Sequence, residues 1–219
     1  MKVFILSLIL CFTLFSFRSN PPLKIIFFGD SITQAGVKPG GYITLMQEMF
    51  AKAGDKSELI GAGIGGNKVY DLYLRMEDDV LSKKPDVVII YVGVNDVWHK
   101  ASYGTGTDAD KFPKFYAAMI KKMQAAGIKV ICATPAAIGE KTDHSNQQDG
   151  DMNLYSNIIR EQAKENGCGL IDLRKEFLAY NLANNPENKD RGILTTDRVH
   201  LNEKGNMFVA ELMYKALMP

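Results

Sequence analysis

Three short motifs, widely separated in the chain, carry the residue types that acyl transfer by a serine requires. The sequence GDS at residues 29–31 and the sequence GVND at residues 93–96 each follow an apolar run, and DRVH at residues 197–200 lies near the C-terminus. A serine hydroxyl needs a base that works near neutral pH, and histidine is the usual one. In DRVH the carboxylate precedes the imidazole by three residues, so it can reach Nδ1–H while Nε2 faces the serine. We therefore predict a catalytic triad of Ser31, His200 and Asp197.

Three hydrogen-bond donors are candidates for stabilising the negative charge that acyl transfer places on a carbonyl oxygen. Ser31 offers its backbone N–H, Gly66 offers another from the loop after the second predicted strand, and Asn95 offers its side-chain amide. Donors fixed in advance around this oxygen lower the barrier of the reaction. We predict these three residues as the oxyanion hole, with Trp98 and His99 beside them as substrate-binding residues.

Each motif also has a purely structural interpretation. Asp30 and Ser31 after a strand are typical of a helix cap, Asn95 of an Asx turn, Gly66 of a backbone with positive φ, and DRVH of a helix N-terminus with a surface histidine. Residues 61–66 also fit G-x-G-x-x-G, which is typical of a dinucleotide site, although here it follows the second strand and no acid ends the next one. Only the combination of serine, base and donors favours a hydrolase.

The elements that must position these residues alternate along the chain. Apolar segments predict strands at residues 23–28, 58–60, 86–92, 129–133 and 169–173, and spacings of three and four predict helices at residues 42–53, 69–81, 112–126, 152–166 and 203–217. This order predicts an α/β fold, a three-layer α/β/α sandwich on a five-stranded parallel sheet with right-handed crossovers. The site residues then lie beyond the carboxyl ends of the strands. Two long connections, residues 99–111 and 134–151, are expected to shape substrate access.

Composition and the N-terminus bear on location and partners. The 219 residues include 26 basic and 25 acidic ones, interspersed, which disfavours nucleic acid or an anionic membrane surface as a partner. Lys2 precedes an unbroken apolar stretch over residues 3–17, so we predict a signal peptide at residues 1–20, export to the periplasm or the extracellular space, and a single domain over residues 21–219 without stable membrane insertion. The alternative is anchoring by an uncleaved signal or by a lipid at Cys11. We expect Cys132 and Cys168 to be buried, reduced and offset by roughly 10 Å.

Ser31, Gly66, Asn95 and His200 occur in the order of the four blocks that name the SGNH, or GDSL-type, hydrolases, and from about Leu23 onwards the chain resembles this family. Isoleucine follows the serine where the family name has leucine. The resemblance implies a flavodoxin-like fold, a mechanism that needs no metal and no cofactor, and hydrolysis of esters or thioesters through an acyl-enzyme.

Export and polar, Gly-rich connections around the site favour a short acyl group. We expect acetyl esters of a carbohydrate or a small alcohol as the substrate, with Trp98 and Tyr103 able to stack on a sugar ring. The alternatives are a lysophospholipase or acyl thioesterase of the same family, a polysaccharide-binding module without turnover, and a dinucleotide-binding protein.

Overall fold

The computed structural model describes residues 21–218, and it contains one parallel sheet of five strands. The predicted signal peptide and Cys11 lie outside the described residues. The strands are β1 (Lys24–Gly29), β2 (Glu58–Gly63), β3 (Val87–Tyr91), β4 (Lys129–Ala133) and β5 (Gly169–Ile171), in the spatial order β2-β1-β3-β4-β5. β1 and β3 lie inside the sheet and are almost wholly buried, which explains their unbroken apolar sequences.

Helices cover both faces of this sheet and confirm the predicted three-layer sandwich. They are α1 (Ser31–Gly36), α2 (Tyr42–Lys52), α3 (Val69–Asp79), α4 (Val94–Tyr103), α5 (Phe112–Ala125), α6 (Asp149–Glu165), α7 (Leu173–Asn184) and α8 (Glu203–Leu217). α2 packs against α8, with the rings of Phe50 and Tyr214 5.2 Å apart, whereas α3, α5 and α6 pack against one another. Among the described residues, no helix has the length and apolar character needed to cross a bilayer.

Three helices were not predicted: α1, α4 and α7. α1 is a short helix of six residues, and the first turn of α4 buries the polar side chains of Asn95 and Asp96, so neither shows a clear apolar stripe. The predicted connection at residues 99–111 is therefore wrong in its first part, because α4 continues to Tyr103. Residues 134–148 form the predicted connection between β4 and α6, but residues 134–140 are all buried, so this first part is not an exposed entrance to the site.

The expected separation of the two cysteines is wrong as well. Cys132 is paired in register with Leu170, and Cys168 lies two residues before that partner, so both side chains face the same side of the sheet. The neighbouring thiol of Cys168, together with burial, raises the pKa of Cys132. The expected offset of roughly 10 Å is wrong because the first residue of the short β5, Gly169, pairs with Ile131 in the middle of β4. Both cysteines are free, and Cys168 is half-buried.

The glycines of the G-x-G-x-x-G sequence serve close packing. A Cβ on Gly61 would lie 2.3 Å from Cγ1 of Val37, and a Cβ on Gly63 would lie 2.1 Å from the backbone nitrogen of Gln34. Both contacts are with α1 or the residue after it, so side chains here would push α1 off β2. The N-terminus of α3, where a pyrophosphate would bind, already receives a carboxylate of the protein, that of Asp96.

Candidate active site

Ser31 lies where β1 ends and α1 begins. Asp30 is the N-cap of α1, and its Oδ1 accepts a hydrogen bond from the N–H of Ile32 at 3.0 Å. Ser31 is the first residue of the helix, so its own N–H is one of those that the helix itself cannot use. The sharp turn from strand to helix thus presents a hydroxyl and an N–H at the carboxyl edge of the sheet.

The structure brings Ser31, His200 and Asp197 together. Ser31 Oγ lies 2.9 Å from Nε2 of His200, which is 169 residues further along the chain, and Nδ1 of His200 lies 2.7 Å from Oδ2 of Asp197. The other carboxylate oxygen of Asp197 accepts the N–H groups of Val199 and His200 at 3.1 and 2.8 Å. Burial acts to raise the pKa of Asp197, but the hydrogen bonds from His200 outweigh it and hold the pKa below the ordinary value. This carboxylate therefore stays ionised and keeps Nε2 directed at the serine.

Gly66 and Asn95 lie in neighbouring segments, and a Cβ on Gly65, the residue before Gly66, would lie 4.0 Å from Cβ of Ser31. Asn95 is in the first turn of α4, is only 2% exposed, and donates through Nδ2 to the carbonyl of Asn67 at 3.1 Å. This bond ties α4 to Asn67, the residue after Gly66. The backbone turns at Gly66, which has a φ of +77°. An amide nitrogen carries two protons, so the Asn95 amide has a second N–H that the bond to Asn67 does not use.

Trp98 and His99 form an aromatic wall on the same helix. The ring of Trp98 lies 6.2 Å from the ring of His200 in an edge-to-face arrangement. A Cβ on Gly66 would lie 3.7 Å from Cε1 of His99, which places that imidazole over the candidate donor. The exposed ring of Tyr103 continues the wall, 5.0 Å from His99. Burial, together with the positive charge of Lys68, lowers the pKa of His99, which favours its neutral form.

Two buried carboxyl groups, of Asp30 and Asp96, lie beneath the site. Burial raises the pKa of Asp30 to about 7, and the nearby Asp96 adds to this effect. Burial also raises the pKa of Asp96 to about 6, while its carboxylate accepts the N–H of Val69 at 3.1 Å. The sequence alone does not show that these two side chains are buried. Among the described residues, no cluster of three or more His, Cys, Asp or Glu side chains is arranged to hold a metal ion.

The buried carboxyl of Asp30 should make stability depend on pH. Its pKa is raised on folding from 3.8 to about 7, so the folded state prefers the protonated form and loses stability as the pH rises through this window. An asparagine side chain at this position has no proton to lose, and its oxygen can still accept the N–H of Ile32. We expect Asp30→Asn to change the free energy of unfolding little at pH 4 and to raise it by roughly 2 to 4 kcal/mol at pH 8. Urea unfolding at both pH values measures this difference.

Asp143→Asn is the control for this prediction. Asp143 is exposed, and hydrogen bonds from Ser145 lower the pKa of its carboxyl group. Its contribution has the opposite sign, because stability is gained as this group ionises. A stability difference between Asp30→Asn and the unmodified protein that is the same at pH 4 and pH 8 would contradict the raised pKa.

Comparisons with known proteins agree with this geometry. The model of the GDSL-like lipase/acylhydrolase family matches residues 27–207. The crystal structure of an acetyl xylan esterase, AlAXEase, is 74% identical in sequence, covers 90% of this chain and 100% of its own, and superimposes with a TM-score of 0.88. An acetylxylan esterase of Geobacillus stearothermophilus is 27% identical over 216 residues, which are 89% of this chain and 93% of the relative. An uncharacterized lipoprotein of Bacillus subtilis, YqeF, is 25% identical over 236 residues, 96% of each chain.

Proposed function

This chain belongs to the GDSL-like lipase/acylhydrolase family and is a carboxylic ester hydrolase, and from this premise we propose that it removes acetyl groups from xylan or its fragments through a covalent intermediate on Ser31. The observation that carries the mechanism is the unbroken hydrogen-bonded series Ser31–His200–Asp197, with distances of 2.9 and 2.7 Å. Hydrogen-bonded nucleophile, base and orienting carboxylate are the arrangement that activates a serine.

In this mechanism, Ser31 Oγ attacks the acetyl carbonyl carbon while His200 Nε2 takes the hydroxyl proton. The carbonyl oxygen becomes negative and receives hydrogen bonds from the Ser31 N–H, the Gly66 N–H and the Asn95 amide. His200 then gives its proton to the sugar oxygen, the C–O bond breaks, and the acetyl group remains on Ser31. A water molecule, deprotonated by His200, releases acetate and restores the serine. Asp197 stabilises the imidazolium that forms in each half-reaction.

The acetyl and xylan parts of the proposal rest on the relatives. The solved structure that is 74% identical over nearly all of both chains is named an acetyl xylan esterase, and so is the Geobacillus relative. At this identity we expect the residues around the serine to accept the same acyl group as in that protein. The aromatic wall of Trp98, His99 and Tyr103 beside the triad offers the sugar a flat surface.

Two substrate series test this function on the full chain. We expect release of acetate from acetylated xylo-oligosaccharides, and with p-nitrophenyl esters a kcat/KM that falls steeply from acetate through butyrate to octanoate. Rates for acetylated glucose and acetylated cello-oligosaccharides, which also carry O-acetyl esters, measure the preference for the xylan backbone. A maximum at octanoate or longer chains would overturn the acetyl proposal in favour of a lysophospholipase or thioesterase.

Asn95→Ala should lower kcat for p-nitrophenyl acetate by about 100-fold or more with little change in KM. The amide stabilises charge that is present only in the transition state, so substrate binding is nearly unaffected. Asn181→Ala is the control, since Asn181 is also a buried asparagine in a helix, α7, and has no part in the proposed mechanism. An Asn95→Ala variant that raised KM alone would exclude Asn95 from the oxyanion hole.

Trp98→Ala should raise KM for acetylated xylo-oligosaccharides by about five- to tenfold while changing KM for p-nitrophenyl acetate less than about twofold. The reason is that a sugar ring loses its stacking surface, whereas a small ester does not use it. Trp98→Phe retains a flat ring and should restore most of the affinity. Equal effects on both substrates would show that Trp98 only supports His200.

We propose export for the same enzyme, with residues 1–20 as a signal peptide and residues 21–219 as a single domain. The apolar stretch of residues 3–17 and the similarity to a Bacillus lipoprotein support export. Xylan is an extracellular polymer, so the proposed substrate agrees with this location. Mass spectrometry of the mature protein from its host tests the cleavage site.

A further inference from the structure

Glu140 holds a carboxylate in the interior that the mechanism does not use. The residue is 1% exposed. Its Oε1 accepts the N–H groups of Leu194 and Thr195 at 2.7 and 2.8 Å, and its Oε2 accepts the N–H of Ile193 at 2.8 Å. One side chain thus binds three successive N–H groups of a segment more than fifty residues away in sequence. Carboxylate acceptors form stronger hydrogen bonds than neutral ones, so this segment is firmly held.

Two of these N–H groups, those of Leu194 and Thr195, belong to the base of the loop that carries the proposed catalytic histidine, and Ile193 directly precedes this loop. We call residues 194–202 the His200 loop. Thr195 and Leu201 form an isolated antiparallel bridge, and the N–H of Asn202 donates to the carbonyl of Leu194 at 3.0 Å, which closes the loop at its base. Glu140 binds the side of that base where the chain enters the loop, at Leu194 and Thr195. Asp197 and His200 lie at the tip.

The same short segment also binds the tip of the His200 loop. The N–H of Gly139 donates to the carbonyl of Arg198 at 2.9 Å, and Arg198 lies between Asp197 and His200 with a φ of +86°. The backbone of Glu140 is fixed in turn, because Asn185 Nδ2 donates to its carbonyl at 2.8 Å. Residues 139 and 140 are therefore a rigid support that contacts the loop at its base and near its catalytic residues.

The internal bonds of the loop do not fix its position against Ser31. The contacts between Asp197 and His200 lie within a single turn, so they persist if the loop moves as a unit. Ser31 lies near the start of the described residues and His200 near their end, so no local bond joins the two. A shift of about 1 Å at the imidazole is enough to weaken proton transfer strongly. Something outside the loop must set its distance from α1, and Glu140 is placed to do so.

We propose that Glu140 is a positioning residue, which fixes the His200 loop so that Nε2 of His200 stays within hydrogen-bond distance of Ser31. This inference rests on the proposed function, because it assigns a purpose to the contact between His200 and Ser31. Glu140 itself touches neither substrate nor the reacting atoms.

Glu140→Gln tests the proposal with almost no change in volume. The amide replaces one acceptor oxygen by an NH2 group, which cannot accept a hydrogen bond from a backbone N–H. At least one of the three hydrogen bonds is therefore lost, and the loop loses part of its support. We expect kcat for p-nitrophenyl acetate to fall by about 10- to 100-fold, with KM changed less than about twofold. Because the local Asp197–His200 bond persists, the midpoint of the acidic limb of the pH–activity profile should stay within about 0.3 pH unit of the unmodified enzyme.

Assays of the full chain are run at least about 15 °C below the melting temperature of each variant, so that the folded protein is compared. Ser57→Ala is the control. Ser57 is buried, and its Oγ accepts the N–H of Leu23 at 2.8 Å. This bond lies at the amino ends of β1 and β2, whereas Ser31 follows the carboxyl end of β1. It should lower the melting temperature while leaving kcat unchanged. If Glu140→Gln behaves like Ser57→Ala, with a lower melting temperature and an unchanged kcat, the role of Glu140 is structural and the proposal is overturned.

Glu140→Asp carries the test if the glutamine variant does not fold. It keeps the negative charge but shortens the side chain by one methylene, so the acceptors no longer reach all three N–H groups. We expect a kcat at least about threefold lower at an unchanged KM, and an unmodified kcat would overturn the proposal. Failure of the proposed function itself would appear elsewhere, as full activity of a Ser31→Ala variant whatever residue occupies position 140.

Discussion

Ser31→Ala is expected to lower kcat for acetyl ester hydrolysis by about 10⁴-fold or more and to leave the fold intact. The variant has no atom that can form the acyl-enzyme, so only the oxyanion donors and substrate binding remain to accelerate attack by water. Ser31 follows the carboxyl end of β1, and among the described residues its side chain forms one hydrogen bond, to His200. The melting temperature should therefore change little. Initial rates with p-nitrophenyl acetate and with acetylated xylo-oligosaccharides measure the loss.

Ser102→Ala is the matched control for this variant. Ser102 is exposed on α4, the helix that carries Asn95, and its hydroxyl has no part in the proposed mechanism. It should retain full activity. A Ser31→Ala protein that keeps more than a few per cent of the activity would show that another group is the nucleophile.

His200→Ala is expected to lower kcat by about 10⁴-fold as well, for a different reason. Ser31 keeps its hydroxyl, but no group removes its proton, and Asp197 has no imidazole to orient. The rate at which a serine-reactive phosphonate labels Ser31 should fall together with kcat, because both reactions need the same activated oxygen. Stopped assays of labelling and of turnover on one preparation measure the two rates side by side.

The control here is His144→Asn. His144 is exposed in the connection between β4 and α6 and has a φ of +64°, a conformation that asparagine tolerates well. This variant should match the unmodified enzyme in both rates. If the loss in His200→Ala were confined to turnover while labelling continued at the normal rate, His200 would not be the base that activates Ser31.

The parallel sheet and its two helical layers could be predicted because they depend on patterns that are local in sequence. Apolar runs that end in glycine or a polar residue predicted all five strands, and alternation with amphipathic segments predicted the parallel sandwich. β4, at Lys129–Ala133, and α8, at Glu203–Leu217, have the predicted bounds. β4 is buried after its first residue, and buried residues recur at spacings of three and four along α8, so the pattern and the structure coincide.

The elements at the site itself could not be predicted in the same way. α4 buries Asn95 and Asp96 where a helix elsewhere would bury apolar residues, so its periodicity is hidden. Polar side chains that are buried for chemistry weaken the signal by which helices are recognised. The candidate residues were found through their types and order, whereas α4, the helix that carries three of them, Asn95, Trp98 and His99, was not.

Glu140 shows a second limit of sequence reasoning. It lies in a stretch that the sequence presents as part of a long polar connection, yet its carboxylate accepts three N–H groups from residues 193–195. Nothing in the local sequence indicates a partner so far along the chain. By contrast, Asp197 and His200 were paired from sequence because only three residues separate them. Long-range hydrogen bonds of single side chains require the structure.

The central claim is that Ser31 becomes covalently modified during catalysis, and trapping this state tests it most directly. The full-length protein is incubated with a serine-reactive phosphonate, and intact mass spectrometry is followed by mapping of the modified peptide. We expect one adduct per chain, on the peptide that contains Ser31, and no adduct in Ser31→Ala. The adduct should form at the rate at which esterase activity is lost. An active enzyme that acquires no adduct, or whose adduct lies on another residue while activity is lost, would contradict this claim.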